Sequence, residues 1–364
     1  MVLIINMKGW NMKKILLINN GYPSKTNPQY STYIKSIYDC MIKADLEVET
    51  LVLDTNFKTK KEKIVEYIEY YKKLFFHDYS KYDAVYIHNY PHSFLPLVFK
   101  LSKMRNLTIH WHGTDIFAAS QKSEKLNNLS YMFIPKGCKH MTPSDYFADM
   151  VSNKLDVKRD EISVSPSGGI DISIFKSTEK KVMDKQMIVL GFASSMRTDK
   201  GMDFVLRLMQ ESDKIKKTTN KDIKLICIDY GLEKEFYSRE LLKLSNVEII
   251  EPLAKSKMVD FYQSIDLLLL LSTRMAESLA LVGLEAMSCD VPVIGTNDFA
   301  IKDYVINGKS GERFEKADFD SFYDAVVNAI KNIDNYHPRD IVIQNYSQKK
   351  VVEQYKEYFG VKDE

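Results

Sequence analysis

A strand–helix–strand pattern across residues 265–295 limits the fold of this chain more than any other feature. The apolar run 265–271 has the length of a strand, and a segment rich in small apolar residues follows it before the β-branched run 291–294. Two buried strands joined by a helix form the βαβ unit of a parallel sheet that is covered on both faces. Strand and helix patterns alternate elsewhere too, so the sequence predicts an α/β fold.

Two glutamates flank the start of the predicted helix. Glu277 lies in the preceding loop, and Glu285 lies about six residues into a helix that should begin near Leu279. The first turn, which includes Leu281 and Val282, has main-chain N–H groups without intrahelical acceptors. These groups and the positive end of the helix dipole favour phosphate at the strand ends, where such sheets bind ligands. The alternative is a buried helix whose acids are a cap and a surface charge.

The pattern of Glu, seven residues, Glu, and a small-residue segment ending in Pro-Val-Ile-Gly resembles the nucleotide-sugar-dependent glycosyltransferases of family 4. The resemblance covers nearly the whole chain from Met12. It implies a GT-B fold, in which two Rossmann-like domains face a cleft, and transfer of a hexose with retention of configuration. It also implies that Glu285 holds the ribose of the donor and that Glu277 lies beside the transferred sugar.

Lys200-Gly201 matches another motif of this family, in which the lysine neutralises the donor diphosphate. The family also has an arginine about five residues earlier, where this chain has Ser195. Arg197 is the candidate substitute, because it is the only cation between Lys185 and Lys200. If Arg197 does not reach the diphosphate, the site is weaker than usual. Ser195 in place of that arginine also motivates the alternative function, a non-catalytic subunit of a transferase complex.

Gly21 follows the first predicted strand, but the fingerprint G-x-G-x-x-G is absent, which disfavours a nicotinamide dehydrogenase. In the resembling family a glycine here lets the loop approach the donor phosphate or the acceptor, and a plain turn glycine is the alternative. The turn at Leu253 falls where the nucleotide base packs in that family. A UDP sugar is expected rather than a GDP sugar.

The segment His110-Trp111-His112-Gly113-Thr114-Asp115 directly follows another predicted strand. It resembles the family's His-Gly-x-Asp segment, which implies that His112 contacts the donor sugar near the reacting centre. A structural histidine is the alternative. Asp115 is expected to orient His112 or to cap the next helix. His88, His92 and His110 are expected to be packing or acceptor-side residues.

Composition sets the wider limits. A chain of 364 residues suits two domains, with 45% hydrophobic and 27% charged residues. A net charge of +2 and the absence of a basic–aromatic repeat speak against nucleic-acid binding. Four widely spaced cysteines indicate neither a disulfide framework nor a zinc site, which fits the cytoplasm. We predict domains at 1–178 and 179–340, a returning C-terminal helix at 341–364, a possible extension at 1–11 and a linker at 177–184.

Asp318-Phe319-Asp320 spells Asp-x-Asp, the metal signature of the other large glycosyltransferase fold. Asp318 stands where a helix N-cap belongs, so a capping role is predicted. No other carboxylate or histidine cluster has metal-ligand spacing along the sequence. The expectation is an enzyme with no metal and no cofactor.

The predicted partners are a nucleotide-sugar donor and a glycan or lipid-linked glycan acceptor, as in the synthesis of a bacterial surface polysaccharide. The predicted helix Lys60–Phe76 has an apolar face formed by Ile64, Ile68, Tyr71 and Phe75, and its stretch Lys60–Lys73 combines lysines with aromatic residues. An ordinary solvated helix is one interpretation. The other is a peripheral contact with the anionic inner face of the cell membrane.

Overall fold

The chain divides into two compact units, each made of separate segments. The structure is a computed structural model, and it describes residues 12–25, 27, 30–53, 55–177 and 186–361. The first unit consists of Met1–Met141, Asp160–Gly168 and Val351–Glu364, and the second of Thr142–Arg159 and Gly169–Lys350. The predicted extension at 1–11 and most of the predicted linker lie outside the described residues.

The first unit contains a six-stranded sheet with strand order β2-β1-β3-β4-β5-β6. Its strands from β2 to β5 pair in parallel. The central strand β1 is buried on both faces because its sequence is apolar almost throughout. The elements are β1 (Lys14–Asn19), α1 (Thr32–Lys43), β2 (Glu47–Val52), α2 (Lys60–Phe76), β3 (Ala84–His88), α3 (Phe94–Leu97), β4 (Thr108–His110), α4 (Gln121–Tyr131), β5 (Lys139–Thr142) and β6 (Ile162–Val164).

The second unit contains a six-stranded parallel sheet with strand order β12-β11-β10-β7-β8-β9. Its strands and the helices packed against them contribute apolar side chains to the core clusters of this unit. The elements are α5 (Asp145–Leu155), β7 (Met187–Phe192), α6 (Met202–Gln210), α7 (Ser212–Thr219), β8 (Asp222–Ile228), α8 (Lys234–Leu241), β9 (Val247–Ile250), α9 (Met258–Ser264), β10 (Leu267–Leu270), α10 (Leu281–Ser288), β11 (Val293–Thr296), α11 (Ile301–Tyr304), β12 (Gly311–Phe314), α12 (Phe319–Lys331) and α13 (Pro338–Ile341).

The last helix, α14 (Gln348–Phe359), returns to the first unit. Its buried residues Val351, Tyr355 and Phe359 join the core that contains Ile15 and Tyr86. The prediction placed a returning helix at 341–364 and kept residues 1–178 together in the first domain. Residues 341–350 and 142–159 fall in the second unit, where Ser144 and Tyr146 donate hydrogen bonds to carbonyls of the loop before α10 (2.6 and 3.0 Å).

Two local expectations need correction. The helix α10 begins at Leu281 rather than near Leu279, because Ala280 takes the left-handed conformation and Leu279 packs in the core. The apolar face expected on α2 is exposed at Ile64 and Ile68 (61% and 49%).

The helix α2 packs instead through Tyr70 and Leu74. Tyr70 shares a hydrogen bond of 2.8 Å with the hydroxyl of Ser93, next to α3. The apolar residues of α2 therefore form two groups. Tyr70 and Leu74 pack in the core, whereas Ile64 and Ile68 are exposed. In the part of the chain that the structure describes, no helix is both long enough and apolar enough to cross a membrane.

Candidate functional site

The centre of the candidate site in the second unit is an ion pair between Lys200 Nζ and Glu277 Oε2. Lys200 lies between β7 and α6, and Glu277 lies in the loop between β10 and α10. Their side chains are only 14% and 15% exposed. Thr273 ties the two loops together, since its N–H and its hydroxyl donate to the carbonyl of Asp199 (3.0 and 3.2 Å). The ammonium group is therefore held at the carboxyl end of the sheet, where an anion can take the place of Glu277.

Glu285 lies on α10 with its carboxylate buried (9% exposed). Tyr262 donates a hydrogen bond of 3.0 Å to its Oε2. Burial raises the pKa of Glu285, while Lys255 and the hydrogen bond from Tyr262 act in the opposite direction. A partly desolvated carboxylate accepts hydrogen bonds strongly, because little water competes for it. Glu285 is therefore suited to bind the hydroxyl groups of a ligand.

The first turn of α10 carries Leu281 and Val282, both half-buried. Their N–H groups have no intrahelical acceptors, and no side chain caps this helix. Leu253 packs against the same core cluster as Leu281 and Val282. Three residues predicted to bind the nucleotide sugar, Leu253, Leu281 and Val282, thus pack against one apolar cluster, and its member Tyr262 donates a hydrogen bond to the fourth, Glu285.

The other predicted residues of the second unit lie in the loop after β7. Ser195 is half-buried. Arg197 donates a hydrogen bond of 2.6 Å from Nη2 to Asp199 Oδ2. Arg274, which the sequence reasoning missed, has its Nε 3.5 Å from the same oxygen. Its place three residues before Glu277, in a loop at a strand end, was the available signal.

In the first unit, Gly21 follows β1 directly. A Cβ atom at this position would lie 2.2 Å from the ring of Tyr30, so no larger residue fits without a shift of that ring. The side chain of Asn19 also donates to the carbonyl of Gly21 (2.5 Å). Packing against Tyr30 is therefore a sufficient reason for a glycine here.

Three histidines meet at the carboxyl ends of two neighbouring strands. His88 and His110 end β3 and β4 and are partners in the register, and His112 follows two residues later. The Nδ1 of His88 lies 2.8 Å from the Nε2 of His112, and the Nδ1 of His110 lies 2.6 Å from the hydroxyl of Tyr86. Burial lowers the pKa of His112 to about 3 and holds those of His88 and His110 well below the usual value. All three are neutral at pH 7.

Asp115 binds the main chain of His112 and Gly113 and does not cap the next helix. Its carboxylate accepts from the N–H of His112 (2.9 and 3.0 Å) and of Gly113 (2.8 Å). Burial raises its pKa to about 6, although these hydrogen bonds act in the opposite direction. The helix α4 is capped by Ser120 instead. Asp115 therefore fixes the backbone that carries His112.

The sequence spacing predicted no histidine cluster that could bind a metal, and this prediction is wrong because the fold brings three histidines together. One ligand atom from each of His88, His110 and His112 lies within 4.8 Å of the others. Spacing along the sequence did not show this, because parallel pairing joins residues 22 positions apart. The rings are only 22–35° from parallel.

The capping role predicted for Asp318 is confirmed. Its side chain accepts a hydrogen bond of 3.0 Å from the N–H of Ser321 at the start of α12. Asp318 is thus the N-cap residue of α12 in this structure.

Residues 173–348 match the family model for glycosyl transferases, group 1. The chain is 28% identical over 191 residues to the capsular polysaccharide biosynthesis glycosyltransferase CapM of Staphylococcus aureus, which is 50% of this chain and 47% of that protein. It is 26% identical over 220 residues to an N-acetyl-alpha-D-glucosaminyl L-malate synthase of Bacillus anthracis, which is 57% of this chain and 51% of that protein. The chain therefore spans about half the length of the curated relatives that it matches.

Solved structures with the same fold include a sucrose-phosphate synthase of Thermosynechococcus elongatus, with a TM-score of 0.73, 14% identity and coverage of 96% of this chain and 100% of that one. Anabaena HepE, solved with UDP and glucose, has a TM-score of 0.67, 15% identity and coverage of 96% and 99%. At such low identity the likeness shows the fold alone, which confirms the predicted GT-B class of two Rossmann-like units. The match to the group 1 glycosyl transferases falls within the second unit, which carries Lys200, Glu277 and Glu285.

Proposed function

We propose that this protein is a retaining glycosyltransferase that moves a hexose from a nucleoside diphosphate sugar to a glycan acceptor. The observation that carries the proposal is the Lys200–Glu277 pair, held at a strand end with the buried carboxylate of Glu285 on the following helix. A cation beside free helix N–H groups suits a diphosphate, and a desolvated carboxylate suits a ribose.

Each predicted residue has a distinct role in this proposal. Lys200 and the first turn of α10 bind the diphosphate, Glu285 binds the ribose, and Glu277 lies beside the transferred sugar. In the free protein the carboxylate of Glu277 forms an ion pair with the ammonium group of Lys200. A diphosphate on Lys200 would release Glu277 to face the sugar.

The resemblance suggests the roles of the remaining predicted residues, each taken within its own unit. Leu253 packs against the base, Gly21 lets its loop approach the phosphate or the acceptor, and His112 contacts the sugar. Because His112 is uncharged at pH 7, it acts as a hydrogen-bonding group for the sugar and not as a cation. A UDP sugar is the favoured donor, which the UDP complex of HepE supports.

A polysaccharide or lipid-linked glycan is the proposed acceptor, supported by the similarity to CapM, a glycosyltransferase of capsular polysaccharide biosynthesis. The reaction would need no metal and would take place in the cytoplasm. The exposed lysines and apolar residues of α2 would place the protein at the inner face of the membrane.

A panel of nucleoside diphosphates in a thermal-shift assay tests the donor site. A ligand at 100 times its Kd adds about 2.7 kcal/mol to the free energy of unfolding, so UDP should raise the melting temperature. Lys200→Ala and Glu285→Ala should each weaken UDP binding by ~1.5–3 kcal/mol, the range for hydrogen bonds to charged groups. The matched control is Lys224→Ala, because Lys224 forms an exposed ion pair with Glu248 on the same sheet.

Unchanged UDP binding in both site variants would contradict the assignment. The second candidate, a non-catalytic subunit, is motivated by Ser195 in place of the family arginine. Hydrolysis of the donor sugar by the isolated protein would speak against that alternative. Binding of UDP without any hydrolysis or transfer would support it.

A further inference from the structure

The cations near the proposed diphosphate site lie in two short loops. Residues 197–200 contain Arg197, Asp199 and Lys200, and residues 274–277 contain Arg274 and Glu277, which gives three cations, two carboxylates and a charge of +1. Lys200 is paired with Glu277, and both arginines approach one oxygen of Asp199. Arg197 lies much closer to this oxygen (2.6 Å) than Arg274 does (3.5 Å).

Arg197 has acidic surroundings. It lines a cavity of about 530 Å³ together with Asp199, Asp203 and Glu233, and neither Lys200 nor Glu285 lines this cavity. Its Nη2 lies 2.6 Å from Asp199, in hydrogen-bonding geometry. Asp199 therefore already pairs with Arg197, and the carboxylates of Asp203 and Glu233 line the same cavity, which makes the cavity unfavourable for a diphosphate.

Arg274 is placed differently. Its Nε lies 3.5 Å from Asp199, too long for a good hydrogen bond, and its side chain is 31% exposed. Among the described residues, none accepts a hydrogen bond from its Nη atoms. The N–H of Glu277 donates to the carbonyl of Arg274 (3.0 Å), so one turn holds both residues. The next residues in the chain lead directly into the first turn of α10.

We propose that Arg274 is the second cation of the diphosphate site, in place of the family arginine that Ser195 replaces. The inference rests on the proposed function, because it names a further residue of the same donor site. Arg274 would bind the diphosphate with its guanidinium group while Lys200 binds from the loop after β7. Two cations from separate loops would stabilise the charge that develops on the leaving group.

The test compares Arg274→Ala with Arg197→Ala in UDP binding by calorimetry and in hydrolysis of a UDP sugar. Arg274→Ala should weaken UDP binding about tenfold, as expected for a lost hydrogen bond to a charged group. The hydrolysis rate should fall further, by about 100-fold, because the leaving-group charge is largest in the transition state. Arg197→Ala should change both quantities by less than about threefold, since its main partner is Asp199.

Asp199→Asn distinguishes direct binding from a structural role. If Arg274 only anchors its loop to Asp199, this variant should reproduce the losses of Arg274→Ala. If Arg274 binds the diphosphate, Asp199→Asn should keep or strengthen UDP binding. Arg274→Lys, which retains the charge, should recover part of the hydrolysis rate, and it replaces Arg274→Ala if that variant does not fold.

The results separate this proposal from the proposed function. UDP binding that depends on Lys200 but not on Arg274 would overturn the proposal and leave the proposed function intact. Losses in Arg197→Ala with none in Arg274→Ala would assign the second cation to Arg197. If the parent protein binds neither UDP nor GDP, both the proposal and the proposed function are wrong.

Discussion

The Lys200–Glu277 pair shows what the sequence reveals and what it leaves out at the scale of single residues. Both residues could be singled out from their motifs, 77 positions apart. Their pairing could not, because it depends on how two loops meet at the ends of β7 and β10. The same holds for the histidines, where two residues expected to be packing groups share a cluster with His112.

The buried histidines should make the stability of the first unit depend on pH. The folded state keeps His88, His110 and His112 neutral, whereas the unfolded chain protonates them below about pH 6.5. The unfolded state then binds more protons, so each histidine should lower the free energy of unfolding by about 1.4 kcal/mol per pH unit as the pH falls. Urea midpoints between pH 7 and pH 5 measure this slope.

Asp115 should change the free energy of unfolding with pH in the direction opposite to the histidines. Its folded pKa of about 6 lies above the usual value of 3.8, so between these limits the folded state binds the extra proton and gains stability as the pH falls. His88→Gln should make the slope shallower by about 1.4 kcal/mol per pH unit, and Asp115→Asn should make it steeper. His337→Gln, at an exposed position in the second unit, is the matched control. A slope that is the same in parent, His88→Gln and Asp115→Asn proteins would contradict this account.

At the scale of elements, apolar periodicity predicted strongly patterned segments well. It predicts α2 at 60–76, β3 at 84–88, β7 at 187–192, α6 at 202–210 and β9 at 247–250, and the structure has the same bounds. The helices α4 and α7 were missed because their sequences are mostly polar. The start of α10 was misplaced because no sequence rule predicts a left-handed alanine as its N-cap. Periodicity also cannot say which of two apolar groups on α2 meets the core.

Substitutions of Asp318 test whether this residue caps α12 or binds a metal ion needed for transfer. Asp318→Ala should lower the free energy of unfolding by about 1 kcal/mol, because the N–H of Ser321 loses its acceptor. Asp318→Asn should cost much less, since asparagine caps equally well. Transfer activity should be unaffected by both substitutions and by a chelator. A rate that is lost in Asp318→Asn and restored only by Mg²⁺ or Mn²⁺ would contradict the capping role.

The exposed face of α2 gives a test of the membrane contact. Its lysines should each gain about 1 kcal/mol near an anionic leaflet, and exposed Ile64, Ile68 and Phe76 can enter the interface. The protein should therefore co-sediment with anionic liposomes at low salt and be released at high salt. Replacing Lys60, Lys61, Lys72 and Lys73 by Glu should reduce this binding.

The matched control for α2 reverses four lysines in the second unit. Replacing Lys214, Lys216, Lys217 and Lys221 by Glu produces the same change in net charge at and near α7. This variant should keep its liposome binding. Equal recovery of the parent protein with neutral and anionic liposomes would contradict the proposed contact of α2 with an anionic membrane. A soluble acceptor would then be favoured.

At the scale of the whole molecule, the sequence predicted two Rossmann-like units, because strands and helices alternate through both halves. It did not predict that each unit is built from separate segments. The return of α14 was expected by analogy, but its contribution to the core depends on three residues spaced at helical intervals, Val351, Tyr355 and Phe359.

Loss of these contacts should destabilise the first unit. Phe359→Ala should cost about 3–5 kcal/mol, because a large buried side chain leaves a cavity. Denaturation should then show an earlier transition for the first unit and an unchanged one for the second. Glu353→Ala, on the same helix but outside the buried set, is the control. A single unchanged transition in Phe359→Ala would show that α14 is dispensable for the first unit.

The position of α14 also bears on the order in which the protein folds during synthesis. Domains generally fold from the N-terminus as the ribosome releases them. Here the first sheet emerges early, but the residues that close its core are translated after the entire second unit. The first unit must therefore wait, with part of its apolar surface open, until its neighbour in the chain has been made. A nascent chain stalled before residue 351 should bind chaperones through its N-terminal half.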